Sequence, residues 1–285
     1  PFKSLFTQGM VCHETYKAEN NNWLSPDEVE KVNKVFVEKS NPQKKVQVGA
    51  SESMSKSKKN VIDPELIIKN YGADAVRLFI LSDSPPEKDV QWSEQGMVSS
   101  YKFIQKLWLM HCLILDKLNN ENEENINEEL DRFTNQMIHK ITNNLDKFSY
   151  NVIIANMYET YNFLFDLIRR KNNLRNLKEN YLKILICFSP IIPHFCNECL
   201  NQFTEQKKFV WPEYNKEFLD TENVKIVIQI NGKKRTLLEV KKEIKEADLL
   251  KIVKIDKILQ KYINKKEIKK IIFVKNKLMN ILINE

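Results

Sequence analysis

Hydrophobic side chains in the central part of the chain recur at the spacing of an amphipathic helix. From about residue 93 to residue 206, apolar positions such as Val98, Tyr101 and Ile104 mostly lie three or four residues apart and share one helical face. Asn151 is a candidate N-cap, and the acidic stretch Asn119–Glu129 a candidate exposed connection. The predicted helices are one containing residues 98–108, then Leu130–Phe148, Val152–Arg170, Leu177–Phe188 and His194–Phe203. We therefore expect a helix bundle.

Beyond Trp211-Pro212 the hydrophobic period changes to two, which is typical of strands. Asn231-Gly232 is a strong signal for a type I′ hairpin turn between the first two of them. The predicted elements are strands Lys225–Ile230 and Arg235–Val240, a helix over Lys242–Tyr262, and strands Lys269–Val274 and Leu278–Ile283. This order predicts a small ββαββ unit.

The N-terminal part predicts short strands. Phe6–Cys12 has the short, apolar character of a strand buried in a parallel sheet. Residues 18–48 are polar and rich in Asn and Lys, so we interpret them as a surface excursion with short strands at Lys34–Val37 and Lys45–Val48.

Two consecutive helices are predicted after residue 62. Asp63 is the expected N-cap of the first helix, and Pro64 its first residue, where the missing N–H costs nothing. Gly72 suits the left-handed conformation that ends this helix, and Asp74 is expected to start the next one.

Composition places the chain among soluble globular proteins. It has 285 residues, enough for two or three domains, of which 42% are hydrophobic and 29% charged. No apolar run approaches the roughly 20 residues that span a bilayer, and the N-terminus lacks a signal-peptide pattern. Five scattered cysteines fit reduced thiols, so we expect a cytoplasmic protein, and five glycines exclude a P-loop.

The excess of positive charge is confined to the C-terminal part. Residues 216–285 contain 18 Lys and Arg against 10 Asp and Glu, a net charge of +8, whereas the first 215 residues have a net charge of −1. Such residues contact phosphates in a sequence-independent way, and the cluster Lys233-Lys234-Arg235 at the predicted hairpin is the best candidate. Solvated surface lysines are the alternative explanation.

The segment Ser53–Asn60 alternates hydroxyl and ammonium groups and has the composition expected of a triphosphate-binding loop. Lysine supplies mobile point charges, and Ser hydroxyls hydrogen-bond phosphoryl oxygens. Movable cations also stabilise the charge that develops when a phosphoanhydride breaks. The segment precedes the predicted helix N-terminus at Asp63, which adds to anion affinity. Taken alone, a short Ser/Lys run is more often an exposed basic loop.

The cysteines and the histidine near the end of the predicted bundle are not expected to bind a metal. Cys187, His194, Cys196 and Cys199 include a Cys-x2-Cys pair and a nearby His. They fall in a predicted helix–Pro–helix segment with apolar neighbours, whereas zinc sites of this type usually lie on loops with a second ligand pair. We interpret them as buried thiols and a hydrogen-bonded histidine.

Several segments in order resemble the class I aminoacyl-tRNA synthetases, and among them the bacterial leucyl-tRNA synthetase family. Met54–Ser57 matches the second signature of the class, the Lys-Met-Ser-Lys-Ser loop. The supporting segments are Leu5–Val11, Tyr71–Asp74, Val90–Trp92, Pro190–His194, Trp211-Pro212 and Gln229–Lys233. The resemblance covers nearly all of the chain but only the C-terminal part of a full synthetase. The His-Ile-Gly-His signature, the first half of the catalytic domain and the editing domain are absent.

The resemblance implies a mixed α and β fold with three domains. Residues 1–92 would be the end of a Rossmann-type catalytic domain, residues 93–215 an α-helical anticodon-binding bundle that binds tRNA, and residues 216–285 a small ββαββ C-terminal domain that contacts tRNA. The implied activity is that of a leucine–tRNA ligase, which joins leucine to tRNA(Leu) through leucyl-adenylate, with this chain inactive alone. The implied substrates are leucine, tRNA(Leu) and ATP with Mg²⁺; no bound metal, no organic cofactor, no membrane and a monomer are expected.

The resemblance also assigns site residues. Lys56 is the expected catalytic cation, and the expected ATP contacts are Ser55, Lys56, Ser57, Lys58, Gln8 and Gly9. The charge distribution, rather than the resemblance, makes Lys233, Lys234 and Arg235 the expected tRNA contacts. On the residues alone, Gln8-Gly9 is equally well explained by close approach to a nucleotide and by a strand-end turn.

One position departs from the family pattern. Ser53 stands where the loop normally has its first lysine, so Lys58 or Lys59 would have to supply the missing charge. Two alternatives to a leucyl-tRNA synthetase remain open. One is a valyl- or isoleucyl-tRNA synthetase, and the other is a non-catalytic RNA-binding protein derived from a synthetase.

Overall fold

The computed structural model describes residues 2, 4–120, 126–170, 174–205, 208–219, 223–264 and 266–284. The chain divides into two compact units, Pro1–Asn215 and Lys216–Glu285. Both contain described helices and strands, so the fold is mixed α and β, as predicted. No helix within these described ranges is long and apolar enough to cross a membrane.

Short strands dominate the first 60 residues. They are β1 Val11–His13, β2 Tyr16–Lys17, β3 Trp23–Leu24, β4 Val29–Val32, β5 Val35–Glu38, β6 Asn41–Lys45, β7 Gln47–Val48 and β8 Glu52–Ser53. The strands β3-β2-β7 form one small sheet and β4-β5-β6 another, which together make up the predicted excursion. β1 pairs with β8 in antiparallel fashion and with β9, Val90–Gln91, in parallel fashion.

Two strand predictions in this part need correction. The strand expected over Phe6–Cys12 begins only at Val11, because the N–H groups of Gly9 and Met10 donate to the Pro86 carbonyl and the Asp89 carboxylate instead of to a neighbouring strand, and Phe6 and Met10 are exposed. The strand expected over Lys45–Val48 is divided at Val46, whose N–H donates to the Phe36 carbonyl at 2.8 Å. The prediction for Lys34–Val37 is confirmed to within a residue by β5.

Helices α1 Pro64–Tyr71 and α2 Ala73–Ser82 follow. Asp63 caps α1 as predicted, since its carboxylate accepts the Glu65 N–H at 2.9 Å. Gly72 has a φ of 81° and lies between the helices, where a residue with a side chain would be strained. Asp74 was expected to start α2 but lies inside its first turn, because Gly72 already occupies the N-cap position.

The bundle consists of α3 Glu94–Asn120, α4 Glu128–Asp146, α5 Tyr150–Arg170, α6 Leu177–Phe188 and α7 Pro193–Asn201. These helices confirm the predicted order. Fully buried aliphatic side chains from several of them form one core, including Ile114, Ile138, Ile153, Leu164 and Ile184. Helix α2 joins this core through Leu78.

Two boundary predictions in the bundle were wrong or lie partly outside the described residues. Asn151 is not an N-cap but lies within α5, and the Ser149 carbonyl accepts the N–H groups of Val152 and Ile153 in the first turn. In the acidic stretch, residues 121–125 fall outside the described ranges. Its last residues begin α4, which Asn127 caps by accepting the Leu130 N–H at 3.1 Å.

In its described residues, the second unit contains a four-stranded sheet and two α-helices. Its elements are β10 Asn223–Ile230, β11 Lys233–Lys241, α8 Glu246–Ile255, α9 Lys257–Ile263, β12 Ile268–Val274 and β13 Leu278–Ile283, with strand order β11-β10-β13-β12. Asn231 and Gly232 both have positive φ, as a type I′ turn requires. The single helix predicted over Lys242–Tyr262 is instead two helices. Asp256 is extended there and caps α9 by accepting the N–H groups of Ile258 and Leu259.

Candidate active-site loop

The loop that joins β8 to α1 is pinned to the β1–β8 ladder at its base. Ser53 lies opposite Cys12 in this ladder, and the Met54 N–H reaches the Val11 carbonyl at 3.4 Å. Lys56–Lys58 then form one 3-10 turn, and Lys59 closes it in the left-handed region at a φ of 55°. The predicted cations are therefore carried on a tight turn rather than on an extended segment.

Asn60 holds the two ends of this turn together. Its side chain is fully buried, and its Oδ1 accepts the Ser55 N–H at 2.8 Å. Its Nδ2 donates to the carbonyl oxygens of His13 at 3.2 Å and Glu52 at 3.3 Å. Sequence reasoning missed this residue, because only the folded chain shows the carbonyl groups that it meets.

The loop lysines differ in what their ammonium groups contact. Lys58 is paired with Glu52, and Lys59 Nζ lies 3.3 Å from Glu28 Oε2. Lys56 is exposed and has no carboxylate partner among the described residues. The charge that was expected to replace the lysine absent at Ser53 is therefore balanced within the protein.

Glu28 comes from the excursion and is itself held in place. Its Oε2 accepts hydrogen bonds from the Ser25 N–H at 2.8 Å and the Ser25 hydroxyl at 2.9 Å. These bonds, the backbone one first, lower the pKa of Glu28, and Lys59 adds to the effect. The carboxylate is thus favoured in its charged form, which strengthens its attraction for the loop.

The N-terminus of α1 carries less positive character than the sequence suggests. The Asp63 carboxylate accepts the Glu65 N–H, and Glu65 adds a second carboxylate to the first turn. Acidic groups at this position offset the positive end of the helix dipole. Anion attraction by the loop therefore depends mainly on its lysines.

Gln8 and Gly9 lie just before β1, and the loop begins beside Val11 of the same strand. Gly9 donates its N–H to the Pro86 carbonyl at 2.8 Å. A Cβ at this position would lie only 2.1 Å from the Lys88 carbonyl oxygen. Close packing of backbone on backbone thus accounts for the glycine, whereas Gln8 is exposed.

In the second unit, Lys233 and Lys234 are exposed at the start of β11. Arg235 was grouped with them but differs in its surroundings. Its guanidinium lies 4.2 Å from the centre of the Tyr262 ring, and its buried Nε has no hydrogen-bond partner among the described residues. The exposed part of the cluster therefore consists of the two lysines.

The thiols considered as metal ligands lie in the bundle core. Cys187, Cys196 and Cys199 are fully buried, and burial raises the pKa of Cys187 and of Cys199 to about 12. His194 contacts Asp74 rather than these sulfurs, with Nδ1 and Oδ1 2.9 Å apart. Within the described ranges, no group of three or more His, Cys, Asp and Glu is arranged to hold a metal ion.

Two segments of the chain match known protein families. Residues 38–93, which include the loop, match the family of class I tRNA synthetases for isoleucine, leucine, methionine and valine. Residues 127–254 match the anticodon-binding domain of tRNA ligases, so this match runs past the end of the first compact unit into the second. The chain is thus related to class I tRNA synthetases in both regions.

Individual relatives indicate which members of this class the chain is similar to. The leucine–tRNA ligase of Rickettsia massiliae is 39% identical over 288 residues, and that of Orientia tsutsugamushi is 40% identical over 291 residues. Each alignment covers 99% of this chain but 34% of the relative, so the chain spans about a third of the length of the curated proteins it matches. The chain is homologous to the C-terminal portion of leucine–tRNA ligases.

A solved structure agrees with this relationship at the level of the fold. It is the crystal structure of a ternary complex of LeuRS, tRNA and LeuAMS from Agrobacterium radiobacter K84. The similarity has a TM-score of 0.57 at 23% identity and covers 82% of this chain and 31% of that one.

Proposed function

We propose that this chain is the C-terminal part of an enzyme that uses ATP to attach leucine to tRNA(Leu) through leucyl-adenylate. The observation that carries the proposal is about 40% identity to leucine–tRNA ligases across 99% of the chain. Homology of this extent includes the candidate loop, the bundle and the second unit.

In this proposal Lys56 stabilises the negative charge that develops on the triphosphate as the bond to pyrophosphate breaks. It is suited to the task because no carboxylate of the described chain neutralises it. The hydroxyls of Ser55 and Ser57, whose oxygens are 3.3 Å apart, are placed to contact phosphoryl oxygens. Lys58 contributes only after it leaves Glu52. Mg²⁺ enters with ATP as part of the substrate.

The proposed domains are residues 1–92 as the end of the catalytic domain, residues 93–215 as the anticodon-binding bundle and residues 216–285 as a tRNA-binding unit. The parallel pairing of β1 with β9 supports the first, because Rossmann-type sheets are mostly parallel, although β8 pairs with β1 in antiparallel fashion. The net charge of +8 supports the third.

A non-catalytic tRNA-binding protein is the second candidate. Ser53 replaces one signature lysine, and Lys58 and Lys59 are both paired with carboxylates. These observations reduce the positive charge available to ATP without affecting the basic second unit.

The two candidates are separated by a chimera. The first two thirds of the Rickettsia massiliae enzyme would be joined to this chain in place of the portion that it matches. We expect ATP–pyrophosphate exchange that depends on leucine, with isoleucine and valine as controls, and charging of tRNA(Leu). The 285-residue chain alone should show no exchange, since both signature loops must surround the ATP. A well-folded chimera that binds tRNA but shows no exchange would favour the second candidate.

A further inference from the structure

Asn60 follows the Ser/Lys loop, but its side chain is buried and therefore is not placed to contact a phosphate itself. Its side chain is 0% exposed and makes three hydrogen bonds, one as acceptor and two as donor. All three partners are backbone groups, so the amide is bonded to the path of the chain rather than to other side chains. A buried amide with matched partners defines one local geometry, because any other geometry leaves polar groups unpaired.

The two carbonyl groups that Asn60 contacts belong to one pair in the β1–β8 ladder. His13 and Glu52 lie directly opposite each other in it. By donating to both, the Asn60 amide bridges the two strands at this pair. Its third bond, accepted from the Ser55 N–H, links the residue that begins the turn to Asn60, which follows the turn.

The other contacts that hold the loop are weaker in kind. The pairs Lys58–Glu52 and Lys59–Glu28 are formed by partly exposed side chains, which water and salt screen. They also involve cations that a triphosphate would attract away. Asn60 keeps its partners in either case, since none of them is charged.

We propose that Asn60 is a positioning residue, which holds the base of the loop so that Lys56 is presented to the triphosphate in one orientation. This inference rests on the proposed function for its catalytic consequence, but not for its structural one. Lys56 is four residues from Asn60 and adjacent to Ser55, so a change at Asn60 acts on both sides of the turn that carries it.

The structural part can be tested in this chain by limited trypsin digestion, with cleavage after Lys56 and Lys58 as the measurement. Asn60→Ala removes all three bonds, whereas Asn60→Asp keeps an acceptor for Ser55 and places an oxygen against two carbonyls. Both variants should be cleaved in the loop at least roughly tenfold faster than the wild type, because protection follows local opening. Asn70→Asp, at an exposed position of α1, is the matched control and should not change the rate.

Amide hydrogen exchange separates local from global effects. The Ser55 N–H should lose protection in Asn60→Ala and retain more of it in Asn60→Asp, while the bundle amides keep theirs in both. Equal loss of protection throughout the chain would mean that Asn60 supports the whole fold. Unchanged protection and unchanged cleavage in both variants would overturn the proposal.

The catalytic part is tested in the chimera described above. Asn60→Asp should lower kcat for leucine-dependent exchange by roughly 10²-fold, as expected for a small misplacement of a catalytic group. The KM for leucine should stay within about twofold. A purely structural residue would lower the active fraction without changing kcat per active site. If the wild-type chimera shows no exchange, the proposed function fails, while digestion and amide exchange still decide whether Asn60 holds the loop.

Discussion

Lys56, Lys58 and Lys59 are close in sequence but have different electrostatic surroundings. Lys58 and Lys59 face Glu52 and Glu28, whereas Lys56 is exposed without a carboxylate partner in the described part of the chain. A cation that is already paired must lose that partner before it binds phosphate. Among these three residues, Lys56 is therefore the one whose charge is available at once.

Lys56→Ala should reduce the rate of leucine activation far more than it weakens leucine binding. A cation that meets charge growing in the transition state contributes roughly 2–4 kcal/mol, by comparison with the loss of one oxyanion donor. Leucine-dependent pyrophosphate exchange by the chimera gives the rate. Lys59→Ala is the matched control, expected to cost less than about 1 kcal/mol because its ion pair is exposed. A loss confined to leucine affinity in Lys56→Ala would show that the loop has another role.

Ser53→Lys restores the lysine that the family carries at this position. With Lys58 and Lys59 paired to carboxylates, we expect a modest increase in exchange rate rather than none. Ser53→Gln, of similar length but uncharged, is the control. Equal rates for the two variants would mean that charge at residue 53 is not limiting.

His111 should make the stability of the first unit depend on pH. It is fully buried, with its ring nitrogens 3.0 Å from the Tyr181 hydroxyl and 3.3 Å from Gln202 Oε1. Burial lowers the pKa of His111, and the bond to Gln202 opposes this shift. Because the unfolded state binds the proton more readily, its contribution is complete above the unfolded pKa of about 6.5 and is lost as pH falls through the folded value.

Urea unfolding between about pH 7.5 and 5.5 measures this effect. The free energy of unfolding of the wild type should decrease as the pH is lowered. His111→Gln should reduce the slope of this dependence by up to about 1.4 kcal/mol per pH unit. The slopes are compared rather than the absolute stabilities, since the substitution also changes packing. Identical slopes would show that His111 does not titrate in this range.

At the scale of the elements, α2 holds the junction between α6 and α7. Asp74 Oδ2 accepts the Phe195 N–H at 2.6 Å, and its Oδ1 accepts the His194 N–H at 3.3 Å. Arg77, one turn later, donates to the carbonyls of Ile191 at 2.9 Å and Pro190 at 2.7 Å. One helix thus satisfies the free N–H groups that begin α7 and the carbonyl groups of the turn before it.

Arg77→Ala should destabilise the first unit by about 2–4 kcal/mol, since two charge-assisted bonds to backbone carbonyls are lost. Arg77→Lys cannot make both bonds in the same geometry and should lie between Ala and wild type. Lys69→Ala, on the exposed face of α1, is the control and should stay within about 0.5 kcal/mol. Chemical denaturation measures all three. An Arg77→Ala variant as stable as the control would show that the turn is held by packing alone.

At the scale of the whole molecule, charge is distributed unevenly between the two units. Residues 216–285 have a net charge of +8 and the rest of the chain −1. Lys233 and Lys234 are exposed, whereas Arg235 stacks on Tyr262. Phosphate contact by lysines raises affinity without reading bases.

Removing residues 216–285 should therefore weaken tRNA binding and its dependence on salt. Each lost phosphate contact should lower the salt slope by about 0.7–0.9, a rule taken from DNA. Binding of tRNA by the whole chain and by residues 1–215 would be measured over a range of salt concentrations. Lys233→Gln with Lys234→Gln should reproduce part of the change, and Lys251→Gln, whose partner is Asp248, less of it. Equal slopes for the two chains would show that the lysines of residues 216–285 are solvated surface residues that do not contact tRNA.

The sequence by itself determined most elements of regular structure. Burial of Ile226, Ile228 and Ile230 in β10 follows directly from their alternation, and the predicted helix Leu177–Phe188 coincides with α6. These predictions succeed because hydrophobic periodicity is a local property that each element satisfies against one core. The candidate loop was equally recognisable, since its serines and lysines lie in one uninterrupted segment of the sequence.

Only the tertiary structure decided which groups these elements meet. Asp74 is of a residue type that caps helices, but its carboxylate accepts N–H groups of a different helix, about 120 residues away in sequence. Lys58 pairs with Glu52, and the Asn60 amide finds two carbonyls of a ladder that only the fold assembles. Hydrogen-bond partners distant in sequence leave no local pattern, because one polar side chain satisfies many possible neighbours equally well until packing selects one.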